Sequence, residues 1–245
     1  MKKITLLTTT ILALGSIGIT TGAQLAQADV VSPNTTIQST TSETPSPRIV
    51  VGDKGTFEQI MLDQYDYELN HMGVGFETGN MVIDYKSKSL FDWGFETDKH
   101  FNLKLPKEFN AIASMSNGET LKSFIKASYK QPGHNEYTEI SRENINTEYV
   151  GQIDFKLPAT TIIHLGDETD IKIEIQFGKI LDSLNRPSDF DYKKIIPDSK
   201  TGGYNFEGLV ADGEWLELWP GDAAKGISDG DEAVKANDNG TVPFK

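Results

Sequence analysis

The chain of 245 residues contains no cysteine, which excludes disulfide bonds, thiol catalysis and cysteine metal sites. It also lacks the G-x-S-x-G motif of serine hydrolases and the H-E-x-x-H motif of zinc proteases. The four histidines stand far apart and predict no zinc site; they are His71, His100, His134 and His164. These absences favour a protein that is not an enzyme.

Positive charge is scarce, with 23 basic residues against 36 acidic ones and a formal net charge of −13. Such a surface repels nucleic acid and anionic lipid, because both carry negative charge. We therefore expect no nucleic-acid partner. Cations, basic proteins or neutral polymers fit the charge better.

Long apolar runs are also missing, and a short apolar segment lies at the N-terminus. Lys2 and Lys3 precede an uncharged segment, and Ala26-Gln27-Ala28 form an A-x-A site before Asp29. This order predicts a secretory signal peptide over residues 1–28. The apolar part is shorter than the roughly 20 residues that cross a bilayer, so we expect no membrane span in the mature chain.

Three further regions follow the signal peptide. Residues 29–47 are rich in Ser, Thr and Pro and lack aromatic residues, which predicts a flexible spacer. Residues 48–219 are predicted to form one β domain. Residues 220–245 consist largely of Gly, Asp, Ala and Lys and are predicted to form an acidic flexible tail.

Alternating apolar and polar residues dominate the predicted domain. In residues 101–106, FNLKLP, the apolar side chains should face the core and the polar ones water. Residues 153–158, IDFKLP, repeat this pattern, either as an equivalent strand of a pseudo-repeated sandwich or by chance. Residues 171–177 alternate most clearly. Short strands without a long amphipathic helix predict an all-β fold, an antiparallel β-sandwich of Ig-like or jelly-roll-like type with little helix.

Other segments carry less regular patterns. We expect a short helix or turn and then a strand in residues 57–69, and a long loop in 181–200. Residues 121–129 can form a strand or a helical turn, and their β-branched and aromatic residues favour the strand. A last hairpin is expected from 204–210 and 214–219.

The three tryptophans offer a candidate binding surface. On a strand, Trp215, Glu217 and Trp219 would share one face. Exposed, that face could bind a sugar ring or a partner protein. The alternative is that the two tryptophans cover the core, where large aromatic residues usually lie.

Oxygen-rich loops make calcium the best candidate ion. The candidate ligands are Asp167, Asp170, Asp229 and Asp231. An EF-hand starting at Asp229 fails because Ala233 occupies the fifth ligand position. The alternative is that these acids only keep an extracellular surface soluble.

The layout resembles that of the secreted surface proteins of low-GC Gram-positive bacteria: a signal peptide, a Ser/Thr/Pro-rich spacer and an acidic β domain without cysteine. The resemblance implies a secreted or cell-surface location. The chain contains no L-P-x-T-G sorting signal, no W-x-L motif and no lipobox cysteine.

These observations lead to a principal hypothesis: an exported, non-enzymatic binding or adhesion-type module. Its partner would be cell-wall polysaccharide or another extracellular protein. One alternative is a secreted glycan-active hydrolase with a carboxylate pair, because 36 acids allow many pairs. Another is a subunit of a surface assembly.

Overall fold

A computed structural model describes residues 55–88, 99–157, 168–184, 190–211 and 223–236. The chain divides into two units, Met1–Ser46 and Pro47–Lys245, and all described residues belong to the second. The predicted signal peptide and spacer lie outside the described residues. So do the candidate residues Asp167, Trp215, Glu217 and Trp219.

The described residues form two antiparallel sheets of five strands each. The strands are β1 (Thr56–Leu62), β2 (Met81–Lys88), β3 (Lys99–Lys104), β4 (Ile125–Lys130), β5 (Thr138–Glu139), β6 (Ile145–Asn146), β7 (Gln152–Leu157), β8 (Glu168–Ile175), β9 (Asn205–Ala211) and β10 (Ala224–Ile227). Sheet A has the order β10-β9-β3-β7-β6, and sheet B has the order β1-β2-β8-β4-β5.

The core lies between the two sheets. On β8, Ile171 and Ile173 are buried, whereas Lys172 between them is exposed. The ring of Tyr85 on β2 lies 4.4 Å from that of Phe101 on β3, so side chains of the two sheets meet. The predicted all-β sandwich is therefore confirmed, and the alternation of apolar residues is its cause.

Strands β3 and β7 contain the two similar sequences FNLKLP and IDFKLP. Both are strands, as predicted, and they pair directly as antiparallel neighbours, with Phe101 opposite Phe155. One detail of the prediction is wrong: Asn102 does not face water but is buried opposite Asp154. Alternation identifies the two faces of a strand, but it does not show whether the second face is covered.

Short helices connect the strands, and none within the described ranges is longer than seven residues. The α-helices are α1 (Tyr67–His71), α2 (Asn110–Ala113), α3 (Glu119–Ser123) and α4 (Phe177–Ser183), and 3-10 turns cover Lys107–Phe109, Met115–Gly118, Arg142–Asn144 and Tyr192–Lys194. Among the described residues, no helix is long and apolar enough to cross a bilayer.

Three predictions about these helical regions are wrong in whole or in part. The strand β1 precedes helix α1, whereas the opposite order was expected, because Asp66 caps a helix at Tyr67. The strand predicted in residues 121–129 is confirmed from Ile125 onward, where β4 begins, and is wrong only for the first residues, which belong to helix α3. Helix α4 extends into the expected loop of residues 181–200, with Ile180 and Leu181 buried. The cap determines α1, whereas burial of apolar side chains against the core favours α3 and α4.

The predicted flexible tail is wrong for residues 223–236. Strand β10 in this segment pairs with β9, whereas residues 214–219 of the predicted hairpin lie outside the described residues. Beyond β10, Val234 forms a parallel bridge with Tyr65, and Ala233 is fully buried. Backbone hydrogen bonds hold this segment, so its low apolar content gave no sign of order.

Candidate functional site: an exposed apolar loop

Residues 72–77, between helix α1 and strand β2, carry the most exposed large apolar side chains of the described residues. We call this segment the apolar loop. Met72, Val74 and Phe76 are 63%, 57% and 68% exposed, and Leu69 on α1 is also exposed. Large apolar side chains grouped on a surface mark an interaction site, whereas single ones do not.

The sequence explains why these side chains remain outside. Gly73 and Gly75 alternate with the apolar residues, and both have positive φ angles, 69° and 74°. This left-handed conformation is open to glycine and strained for other residues. The chain therefore turns at each glycine, and no helix or strand forms that could direct the three side chains into the core.

Hydrogen bonds close the base of the apolar loop. The amide oxygen of Asn70 accepts from the backbone N–H of Thr78 at 2.8 Å and from its hydroxyl at 2.6 Å. The hydroxyl oxygen of Thr78 accepts from the N–H of Asp66 at 2.9 Å. The two ends of the loop are thus held together while its tip projects outward.

Asp66 holds the helix that leads into the loop. Its carboxylate accepts from the backbone N–H groups of Glu68 and Leu69 and lies 3.1 Å from the Lys235 ammonium. Burial disfavours the charged carboxylate, but the N–H groups and the ammonium outweigh this effect and lower the pKa of Asp66. Asp66 therefore remains charged at neutral pH and caps α1.

Asp182 on α4 also holds the base of the apolar loop. It accepts hydrogen bonds from the Tyr65 hydroxyl at 2.8 Å and from the Asn70 amide at 3.0 Å. Burial and the Asp182 carboxylate raise the pKa of the Tyr65 hydroxyl far above its usual value. Tyr65 therefore acts as a permanent donor that ties the loop base to the core.

Aromatic rings extend this support. The Tyr192 ring packs edge-on against Tyr65 at 5.3 Å and stacks with Tyr67 at 5.7 Å. Tyr67 in turn stacks on His71 at 4.0 Å. The helix that precedes the apolar loop thus rests on a packed aromatic layer.

Charged groups lie at both ends of the apolar loop. Lys179 on α4 pairs with Glu77 at 3.0 Å, and the His71 ring lies 3.8 Å from Asp182. Glu68 is exposed on the first turn of α1. An apolar centre bordered by charged groups is typical of protein interaction surfaces.

The described calcium candidates occupy two separate places. Asp170 on β8 pairs with Lys130 at 2.6 Å, whereas Asp229 accepts a hydrogen bond from the N–H of Leu62. Asp231 follows Asp229 by two residues, and its backbone carbonyl accepts a hydrogen bond from the N–H of Ser199. The sheet register aligns Asp170 with the opposite end of β1 from Leu62, roughly 20 Å away. Asp170 therefore cannot bind the same ion as Asp229 and Asp231. No cluster of three or more metal-ligating side chains occurs in the described part of the chain.

The histidines are also dispersed. His71 lies at the loop base, and His134 is exposed in a turn. His100 on β3 points its Nδ1 at Asp154 on β7, 2.8 Å away, where both side chains are largely covered. This contact joins β3 to β7 within sheet A. His164 lies outside the described residues.

The sequence analysis did not identify this loop. The signal that was available is the pattern M-G-V-G-F, in which apolar residues alternate with glycine. Glycine offers no side chain that could face the opposite side of a strand, so the pattern predicts an exposed apolar turn. The residues that hold its base come from the flanks of the loop and from three distant segments, at Asp182, Tyr192 and Lys235, and no local pattern connects them.

Comparisons with known proteins identify no family. No family model matches the chain, and no curated protein matches it.

Three solved structures are similar in part. AvmM, which catalyses macrocyclization in alchivemycin A biosynthesis, has 9% identity and a TM-score of 0.32 over 76% of this chain and 84% of its own. The partial N-terminal region of an enterococcal surface protein has 11% identity and a TM-score of 0.32, with 72% and 46% covered. The B domain of a biofilm associated protein has 10% identity and a TM-score of 0.30, with 74% and 41% covered. Because these TM-scores are low, the likenesses indicate neither a family nor a function.

Proposed function

We propose that the chain is an exported, non-enzymatic binding module that contacts an extracellular partner through the apolar loop. The observation that carries this proposal is the exposure of Met72, Val74 and Phe76 on a loop whose ends are clamped. Export follows from the predicted signal peptide over residues 1–28. The partner is cell-wall polysaccharide or another extracellular protein.

The free energy lost by leaving apolar side chains exposed supports a binding role for the loop. Full burial of a Met, Val or Phe side chain contributes about 1.5–3 kcal/mol, and the free protein forgoes this at three positions. The hydrogen bonds of Asn70 and Thr78 hold the loop in one shape before binding. Such preorganisation lowers the entropy lost when a partner binds.

Retention experiments test this function. Purified protein is passed over immobilised cell wall and over immobilised extracellular proteins. We expect retention on one of them, and we expect the triple variant Met72→Ser, Val74→Ser, Phe76→Ser to lose it. The matched control is Tyr149→Ser with Val150→Ser, which changes two exposed apolar residues elsewhere. Failure of the wild type to bind either material would count against a binding function.

We propose the tryptophan face as a second contact surface. Ala211, the last residue of β9, pairs with His100 near the start of β3. The described residues that follow the Trp93 segment and precede the Trp215 segment in the sequence therefore lie at the same end of sheet A. If Trp215, Glu217 and Trp219 bind polysaccharide, alanine at both tryptophans should abolish retention on cell wall and leave retention through the apolar loop intact.

A further inference from the structure

We infer that the partner of the apolar loop is another protein, with an apolar pocket that is bordered by hydrogen-bond acceptors and basic side chains. This inference rests on the proposed binding function and specifies its partner. Three properties of the loop carry it: the chemistry of its tip, its backbone N–H groups and the charge around it.

The tip has the wrong chemistry for a glycan. Met72 and Val74 offer a thioether and a branched alkyl group, and only Phe76 offers a ring. Sugars are bound by hydrogen bonds to their hydroxyl groups together with flat aromatic faces. No tip side chain can donate or accept a strong hydrogen bond. A protein pocket lined by apolar side chains fits this tip better.

The backbone of the loop has the wrong chemistry for the interior of a bilayer. Among the described residues, the N–H groups of residues 73–77 donate to no protein acceptor. Water satisfies them in the free protein. Hydrocarbon offers no acceptor, and each unpaired group costs several kcal/mol there. A protein pocket can supply carbonyl or carboxylate oxygens while it covers the apolar side chains.

Charge points to a basic partner. The chain has a net charge of −13, and Glu68 is exposed next to the loop. An anionic membrane surface is repelled by this charge, whereas a pocket with Lys or Arg at its rim is attracted. Arg is also enriched at protein interfaces, as are Met and Phe.

Site-specific cross-linking tests the inference on the full chain. A photoreactive benzophenone amino acid replaces Phe76, cross-linked proteins are identified by mass spectrometry, and the identified protein is purified. Its affinity is then measured for the wild type, for Phe76→Ser and for the Tyr149→Ser, Val150→Ser control. We expect Phe76→Ser to weaken binding by roughly 30-fold or more and the control to change it by less than about 3-fold.

Parallel binding measurements use phosphatidylcholine vesicles, vesicles with added phosphatidylglycerol, and purified cell-wall polysaccharide. Binding to vesicles or polysaccharide that Phe76→Ser abolishes would overturn the inference and leave the proposed function standing. A second copy of this chain as the only cross-linked protein would also overturn it, because that copy is acidic. If no probe binds in a manner that depends on the loop, both proposals fail. Because Phe76 is exposed, the variants should fold, and thermal melting checks this.

Discussion

Asn70 and Thr78 are joined by two hydrogen bonds that one amide oxygen accepts, from the backbone N–H at 2.8 Å and from the hydroxyl at 2.6 Å. This pair closes the apolar loop. Residues between them need not pack on the core, because the ends are already fixed.

Replacement of Asn70 tests the clamp. Asn70→Ala removes the two hydrogen bonds that the amide oxygen accepts from Thr78 and the one that the amide nitrogen donates to Asp182. It should therefore lower the free energy of unfolding by about 2 kcal/mol. Hydrogen exchange in the apolar loop should also accelerate. Urea unfolding measures the first effect. The control Asn135→Ala, in an exposed turn, should change stability by less than about 0.5 kcal/mol.

Acid should weaken the fold through Asp66. Its pKa lies below the unfolded value of 3.8, so its contribution to stability is complete above that value and is lost as the pH falls through the folded value. The Asp66→Asn variant keeps a capping oxygen but no charge, so its stability should fall less steeply in acid. Urea unfolding between pH 6 and about pH 2.5 measures this slope.

The matched control for this measurement is Glu148→Gln, an exposed residue that has no ion pair among the described residues. It should leave the slope unchanged. An Asp66→Asn slope that equals the wild-type slope would contradict the role of this carboxylate.

The contact between α4 and the loop base leaves no room for a side chain at Gly178. A Cβ atom there would lie 1.9 Å from the carbonyl oxygen of Thr78. We expect Gly178→Ala to destabilise the protein by about 1–3 kcal/mol, because backbone must move. Gly230→Ala is the control: its Cβ would meet Leu62 at 3.4 Å, an ordinary contact. Equal melting temperatures for the two variants would refute the close approach.

The segment after β10 is held by the hydroxyl of Tyr204. It accepts from the N–H of Ala233 at 2.9 Å and donates to the carbonyl of Pro197 at 3.0 Å. Burial raises the pKa of Tyr204 to about 12, so the hydroxyl remains protonated at neutral pH.

Loss of that hydroxyl would leave the buried N–H of Ala233 without a partner. Tyr204→Phe should therefore cost about 1–3 kcal/mol and increase hydrogen exchange at Ala233. Tyr129→Phe, at a tyrosine that is buried in the same core, is the control and should have a small effect. Unchanged exchange at Ala233 would show that the hydroxyl does not anchor this segment.

Calcium binding remains a prediction, and the structure makes it site-specific. If Asp229 and Asp231 hold calcium, millimolar calcium should raise the melting temperature, because a ligand that binds only the folded state stabilises it. The Asp229→Asn, Asp231→Asn variant should lose that increase, and Asp170→Asn should keep it. Equal melting temperatures with calcium and with chelator would contradict this prediction.

Much of the fold was predictable, because the patterns that identify strands lie within short stretches of the sequence. In residues 101–104 and 171–175 the alternation of apolar and polar residues identified strands and their core faces, because side chains point to opposite faces in turn. The strand predicted for residues 171–177 ends at Ile175, and Phe177 begins helix α4. Burial of Asn102 was not predictable, because it depends on what covers the second face of sheet A.

The candidate site was predictable only in its composition. Its apolar residues alternate with Gly73 and Gly75 in the sequence, so the sequence determined that residues 72–77 turn and expose them. The tertiary structure alone decided that this loop is held by Asp182, which is 112 residues from Asn70, and by Lys235, which is 169 residues from Asp66.

The sequence by itself thus determined an acidic β-sandwich, because periodicity and charge are local properties of the chain. Only the tertiary structure decided that residues 223–236 belong to the fold and that the apolar loop has a fixed base. Hydrogen bonds between distant segments create both features. Such bonds depend on which segments the folded chain brings together, and no local pattern records that.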